Sequence, residues 1–152
     1  MMYMYRYISE TWQKELKEGS PELKHKIITW RRGPRVVRVD GPTRLDGARK
    51  RGYKAKQGIV VARVRLSRGG MRMKRPTSGR RPKHLGTLKI KGNLSEREVA
   101  EQRASKRFPN LRILGSYLLA RDGRFSWYEV VMADPSHPAI IADRELSQRL
   151  GL

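Results

Sequence analysis

Two amphipathic helices are predicted at the start of the chain. Apolar residues spaced by four mark the first helix, which would end near Gly19. These residues are Met4, Ile8, Trp12 and Leu16. Ser20 followed by Pro21 is typical of a second helix start, because Ser caps free N–H groups and Pro suits the first turn. Its inner face would carry Leu23, Ile27 and Trp30.

Two strands with a short helix between them are predicted next. Val36–Val39 is a β-branched run typical of a strand. Thr43 and Asp46 form a weak capping-box pattern for a short helix, which Gly52 would end. Residues 57–66 give the clearest strand, with a core face and a second face that starts apolar and becomes cationic. The core face carries Val60, Ala62, Val64 and Leu66, and the second face carries Ile59, Val61, Arg63 and Arg65.

A helix and a hairpin are predicted in the last third of the chain. Ser95 and Glu98 form a capping box for a helix that would run to about Arg107. Asp122-Gly123 is typical of a tight hairpin turn. The strands it joins are 111–120 and 125–133, and a strict two-residue period puts Leu111, Ile113 and Tyr117 on one face. The residues after Pro138 are weakly patterned.

These elements predict an α+β fold. Four strands would form an antiparallel or mixed sheet with helices on it, because the hairpin strands carry apolar residues on both faces. We expect a single domain over residues 1–152, with N-terminal helices in 1–32 and a long basic irregular extension in 67–92.

Charge separates the middle of the chain from its two ends. The formal net charge is +21, and residues 31–92 carry 21 basic residues against the two acids Asp40 and Asp46. Solvated surfaces normally interleave both signs, so this segment indicates a polyanionic partner. A membrane surface is the poorer choice, because the segment is too rich in Gly and Pro for a basic amphipathic helix.

Several classes of protein are excluded by the composition. No run approaches the roughly 18 apolar residues of a transmembrane helix, and no secretory signal is visible. With no Cys there is no disulfide framework and no thiolate metal site. We therefore expect a cytoplasmic protein without cofactors, a small-molecule substrate or a membrane partner.

Residues 67–92 are the strongest candidate for nucleic-acid binding. They contain nine Lys and Arg residues, five Gly, two Pro and no acid, and show no secondary-structure period. Arg pairs phosphate oxygens and stacks on unpaired bases, and Gly allows close backbone approach, so the composition favours RNA. A segment without an apolar face takes its structure from its partner.

Two further basic patches are candidates. In residues 49–58 five cations surround Tyr53, which either stacks on a base or packs against the sheet. Near Trp30, which we expect to face the core, lie Arg31, Arg32 and Arg35. The candidate RNA-binding residues are Arg31, Arg32, Arg35, Arg44, Arg49, Lys50, Arg51, Tyr53, Lys54, Lys56, Gln57, Arg63, Arg65, Arg68, Arg72, Lys74, Arg75, Arg80, Arg81, Lys83, His84 and Lys89.

Catalysis is not indicated. His25, His84 and His137 lie far apart without metal-ligand spacing, and no phosphate-binding glycine motif is present. A metal-dependent phosphodiester hydrolase needs clustered carboxylates, and the acids here are mostly dispersed. Glu96, Glu98 and Glu101 lie near one another, but a capping box and an exposed helix face explain them.

Several runs resemble the archaeal and eukaryotic large-subunit ribosomal protein family "fifteen-e". The match is collinear over nearly the whole chain, and the run Gly-Tyr-Lys-Ala-Lys-Gln-Gly at 52–58 is highly specific. The resembling segments are 7–12, 41–46, 51–58, 64–70, 109–117 and 128–140. The archaeal version is the nearer relative.

The resemblance implies a non-enzymatic protein of the large ribosomal subunit. It would bind and stabilise large-subunit rRNA, with neighbouring large-subunit proteins as further partners and as a monomer within the ribosome. It also implies a three-layer α/β/α domain with an antiparallel sheet. A free nucleic-acid-compaction protein without ribosomal association is the alternative, because it needs similar charge.

Two departures from the family limit what the resemblance transfers. The family continues into a longer basic C-terminal tail, so either that tail is absent here or the sequence is truncated, and no contact there is carried over. Residues 115–122 also differ from relatives, which carry an aromatic after the Tyr and acids before the hairpin. Local contacts of this hairpin are therefore not transferred.

Overall fold

Four strands form one antiparallel sheet in the order β1-β2-β4-β3. This computed structural model describes residues 2–70, 74–87, 92 and 94–151. The strands are β1 (Val36–Val39), β2 (Ile59–Ser67), β3 (Arg112–Arg121) and β4 (Phe125–Ala133). The helices are α1 (Met2–Glu18), α2 (Pro21–Arg32), α3 (Leu45–Arg49), α4 (Glu96–Arg107), α5 (Pro138–Ile141) and α6 (Arg144–Leu150). The α+β prediction is confirmed, and the sheet is antiparallel.

Helices cover both faces of the sheet. On one face α4 packs over β2, β3 and β4, where its Ala100 and Ala104 are fully buried. On the other face α1, α2 and α3 enclose a cluster that includes Trp30, Trp127 and Tyr117. The two faces of β2 separate as the alternation predicts, since Val64 and Leu66 belong to the α4 side.

The N-terminal helices form where the pattern predicts them. The hydroxyl of Ser20 accepts a hydrogen bond from the N–H of Leu23, which caps α2. The apolar stripe of α1 is only partly covered, because α1 packs on the five-residue helix α3. Trp12 is buried and its indole N–H donates to the carbonyl of Leu119 at 3.2 Å, whereas Met4 is half exposed.

Helix α3 is present, but its predicted cap is wrong. Arg44 occupies the N-cap position and makes no side-chain cap hydrogen bond. Thr43 instead directs both its N–H and its hydroxyl to the carboxylate of Glu129, which is fully buried in β4. A buried carboxylate needs several donors, and this requirement outweighs the local cap.

The predicted side-chain alternation along β3 is also wrong. Register shifts occur between Ile113 and Gly115 and between Leu118 and Ala120. Each extra residue at such a bulge reverses the faces that follow it. Ile113 therefore packs on the α4 side, while Tyr117 lies in the opposite cluster.

Helices α5 and α6 were not predicted. They pack Ile140, Leu146 and Leu150 against the end of β4. Asp143 caps α6, and Gly151 ends it with a positive φ of 67°. Both end signals and the four-residue apolar spacing were present in the sequence. No helix of the described residues combines the length and hydropathy that a bilayer span requires.

Candidate nucleic-acid interface

The basic loop leaves the sheet beside the tip of the β3–β4 hairpin. Just beyond β2, the N–H of Arg68 donates to the carbonyl of Arg124 at 2.8 Å. The guanidinium of Arg68 donates to the carbonyl of Asp122 at 2.6 Å. Gly69 follows with a φ of +106°, which favours glycine. The root of the loop is thus fixed to the turn of the β3–β4 hairpin.

Within the loop, the described residues 74–87 are mostly exposed. Their only regular element is a 3₁₀ turn at Pro82–His84. Within the described part of the chain no ion pair involves the loop cations. The exposed candidates here are Lys74, Arg75, Arg80, Arg81, Lys83 and His84. Arg72 and Lys89 lie outside the described residues.

The C-terminal end of α2 lies next to the root of the loop. Arg31 forms an ion pair with Asp122 at 2.6 Å, and Arg65 donates to the last carbonyls of α2, those of Trp30 and Arg31. A guanidinium at this position satisfies free carbonyls and suits the negative end of the helix dipole. Arg32 and Arg35 remain exposed beside this cap.

The carboxylate of Asp122 links the hairpin turn to the C-terminal end of α2. Its partial burial alone would raise the pKa of the carboxyl group, but hydrogen bonds from the N–H groups of Phe125 and Arg124 and the charge of Arg31 outweigh it. The pKa of Asp122 is therefore lowered, and the carboxylate stays ionised between the hairpin tip and α2.

Three further arginines of the candidate set have partners inside the protein. The guanidinium of Arg63 lies 4.6 Å from the centre of the Trp30 ring, and burial lowers its pKa while the charge of Glu129 partly opposes this. Arg44 holds Asp46 with two hydrogen bonds, of 2.7 and 3.3 Å. Arg51 donates to the carbonyls of Ser116 and Gly47. These side chains stabilise the fold, and Trp30 faces the core as predicted.

The cations of residues 49–58 divide into two groups. Lys54 and Lys56 contact Asp143 at 2.9 and 2.5 Å, so α6 neutralises this end of the segment. These hydrogen bonds lower the pKa of Asp143. Arg49 and Lys50 are exposed and form no ion pair within the described residues, and the uncharged Gln57 is exposed as well. Tyr53 is half-buried and packs against the apolar cluster under α1 and α2, which supports the packing alternative.

Glu129 is a buried charged residue that sequence reasoning missed. Besides the bonds from Thr43, it accepts one from the hydroxyl of Tyr117. Burial raises the pKa of Glu129, although the donors oppose that effect. This network holds the segment before α3 against the sheet. The sequence signal that could have identified Glu129 was a charged residue within an otherwise apolar strand.

Arg124 is an exposed cation that the candidate set lacks. It lies at the hairpin tip, and its carbonyl accepts from the N–H of Arg68, so it borders the root of the loop. The sequence places Arg124 directly after the Asp122-Gly123 turn. Its proximity to the loop could not be predicted, because it depends on strand pairing. Among the described residues no group of three or more His, Asp and Glu side chains is placed to hold a metal ion.

Comparison with known proteins identifies the family. A family model described as Ribosomal L15 matches residues 3–148. The large ribosomal subunit protein eL15 of Methanocella arvoryzae is 46% identical over 144 residues, which cover 94% of this chain and 74% of that protein. The match spans nearly all of the elements described above. The chain therefore belongs to the Ribosomal L15 family and is a protein of the large ribosomal subunit.

Proposed function

We propose that the chain binds and stabilises folded large-subunit rRNA, with the basic loop as its main contact. Its family places it in the large subunit of the cytoplasmic ribosome. The single observation that supports rRNA binding is the contrast in ion pairing. Lys54 and Lys56 near α6 and Arg31 at the end of α2 have acidic partners, while the cations of the described loop are exposed without one.

The fold explains how the loop would be presented. Arg68 fixes its root to the hairpin, and Arg65 and Arg31 fix the end of α2 beside it. The exposed cations of the loop then extend from a rigid base, together with Arg32, Arg35 and Arg124. Phosphate and ribose contacts would dominate, because a loop of this composition recognises shape rather than base edges.

The role is structural rather than catalytic. The loop would neutralise phosphates that rRNA folding brings close together, and the chain would act as one domain and as a monomer beside neighbouring large-subunit proteins. Membership of a large-subunit family argues against a freely diffusing compaction protein.

Sedimentation of ribosomal particles tests the proposal. Large subunits are washed at high salt and separated on a gradient, and the chain is quantified against a known large-subunit protein. We expect one copy per subunit after the wash, because many phosphate contacts and a shaped cavity hold the loop. Direct binding is measured with the purified chain and large-subunit rRNA. Release into the soluble fraction, together with no measurable rRNA binding, would refute the proposal.

A further inference from the structure

A cleft of about 590 Å³ lies between α1 and α3. Its volume falls within the range of roughly 300–1,000 Å³ that is usual for small-ligand sites. One wall is α1 from Tyr5 to Gln13, and the other is the short helix α3 with the residue that follows it. Neither the loop nor the cap of α2 contributes a side chain to the described lining.

The α1 wall presents an aromatic ring and uncharged hydrogen-bonding groups. Tyr5, Ser9 and Gln13 line the cleft and are spaced by four, so they form one row along the helix. Tyr5 is half-buried. The neighbouring Arg6 and Glu10 pair with each other at 2.8 Å, which neutralises the edge of this row. Such a surface suits a flat ring with polar edges.

The α3 wall supplies positive charge. Arg49 and Lys50 are exposed, line the cleft and have no ion-pair partner within the described part of the chain. Asp46 lies at the floor, but two hydrogen bonds from Arg44 neutralise it. Arg44 lowers the pKa of Asp46 despite the opposing effect of burial. An anionic group would therefore bind at the Arg49 end.

The cleft is preformed because its walls are held together. Trp12 anchors α1 through its hydrogen bond to the carbonyl of Leu119, and the guanidinium of Arg44 lies 5.9 Å from the centre of the Trp12 ring. Glu129 holds the preceding Thr43 in place. A rigid site loses little entropy when a ligand binds.

We propose that this cleft holds one unpaired nucleotide of large-subunit rRNA, with its base on Tyr5 and its phosphate on Arg49 and Lys50. The inference rests on the proposed function and adds a base-binding subsite to it. The nucleotide is unpaired because a base within a duplex has both faces stacked and its edge hydrogen-bonded. Aromatic stacking combined with Arg and Lys contacts is the usual way in which proteins hold unstacked bases.

Chemical probing of the rRNA tests the subsite. The full-length chain is bound to large-subunit rRNA, and base reactivity is compared between the wild type and Tyr5→Leu. We expect one or two unpaired bases to be protected by the wild type and to become reactive with Tyr5→Leu. The affinity should fall by about 5–100-fold, the effect of losing one base stack. Tyr5→Phe should retain the protection, because it keeps the ring.

Tyr7→Leu is the matched control. It removes the same side chain from the same helix, but Tyr7 is 65% exposed and lines a different groove. It should leave the protection unchanged. The double variant Arg49→Gln/Lys50→Gln alters two exposed side chains that make no ion pair within the described residues, and it should expose the same bases as Tyr5→Leu. It therefore tests the subsite even if Tyr5→Leu destabilises α1.

The outcomes separate this inference from the proposed function. If the wild type does not bind large-subunit rRNA at all, both fail. If it binds, and the protections are the same in the wild type and in the Arg49→Gln/Lys50→Gln variant, only the nucleotide subsite is refuted. Equal loss in Tyr5→Leu and Tyr7→Leu would also refute it. Tight binding of free adenosine monophosphate in the cleft, unaffected by competing rRNA, would also refute the rRNA subsite. It would show that the cleft binds a free nucleotide instead.

Discussion

Removing the loop charge should weaken rRNA binding and make it less sensitive to salt. The perturbation replaces five exposed cations of the described loop with Gln, without touching the apolar clusters. The residues are Lys74, Arg75, Arg80, Arg81 and Lys83. Because their side chains extend into solvent, we expect no change in the thermal unfolding temperature.

The magnitude follows from counterion release. If each of the five cations neutralises one phosphate, the slope of log K against log salt should fall by about 3.5–4.5. At about 0.15 M salt this corresponds to a loss of roughly 10³-fold in affinity, or about 4 kcal/mol. The effect should decrease steadily as salt is raised, since the difference lies in released counterions.

The assay is a salt titration of binding to large-subunit rRNA with a control of equal charge. The control changes to Gln five exposed cations outside the loop that, like the loop cations, have no ion-pair partner within the described residues. These are Lys17, Lys24, Lys26, Lys106 and Arg107. It should change the slope far less than the loop variant does. If both variants lower the slope equally, only net charge matters, and a specific contact by the loop is refuted.

Three further predictions concern the fold that presents the loop. Glu129→Leu leaves the two donors of the half-buried Thr43 and the buried hydroxyl of Tyr117 without an acceptor, and should lower the free energy of unfolding by about 3–5 kcal/mol in urea titrations. Burial raises the pKa of Glu129 in the folded chain above its ordinary value of 4.5. The stabilisation that Glu129 contributes is therefore complete below pH 4.5 and declines as the pH rises above this value. The stability cost of Glu129→Leu should accordingly shrink from about pH 4 to about pH 7. Arg65→Met removes the cap of α2 and should cost about 1–2 kcal/mol, with faster hydrogen exchange in its last turn. Gly58→Ala should cost about 2–4 kcal/mol in thermal unfolding, because φ is +85° and the new Cβ would lie 2.8 Å from Ile140.

Each of these three stability predictions has a result that would contradict it, and two have a control variant. A cost of Glu129→Leu that grows between pH 4 and pH 7 would contradict the direction of the pKa shift. For the α2 cap, Arg38→Met removes an exposed arginine of β1 and should leave the exchange of α2 unchanged; equal acceleration in both variants would count against the cap. Gly123→Ala meets no atom within 4 Å and should be nearly neutral, so a similar cost at both glycines would rule out the steric explanation.

Secondary structure was predictable where the signal is local. The cap of α2 by Ser20 and the capping box of α4 at Ser95 lie where the pattern predicts them, because these bonds join residues three apart. Prediction failed at Thr43, whose side chain serves Glu129, 86 residues further along the chain. It failed again along β3, because bulges depend on the register with β4.

The candidate site was predictable as a charge distribution but not residue by residue. The sequence located the basic segment, and the described loop cations are indeed exposed. It did not show that Lys54 pairs with Asp143 or that Arg63 lies over Trp30. Cations from one run therefore differ in role, although their local sequences look alike.

Sequence alone determined the elements, the segregation of charge and the resemblance to the family, because each depends on residue type and short-range spacing. Tertiary structure decided which cations are exposed without an acidic partner and which have partners within the protein. It also formed the cleft between Tyr5 and Arg49, which are 44 positions apart. Ion pairing, ring contact and cleft formation depend on distance in space, which strand register and helix packing set and which no local pattern encodes.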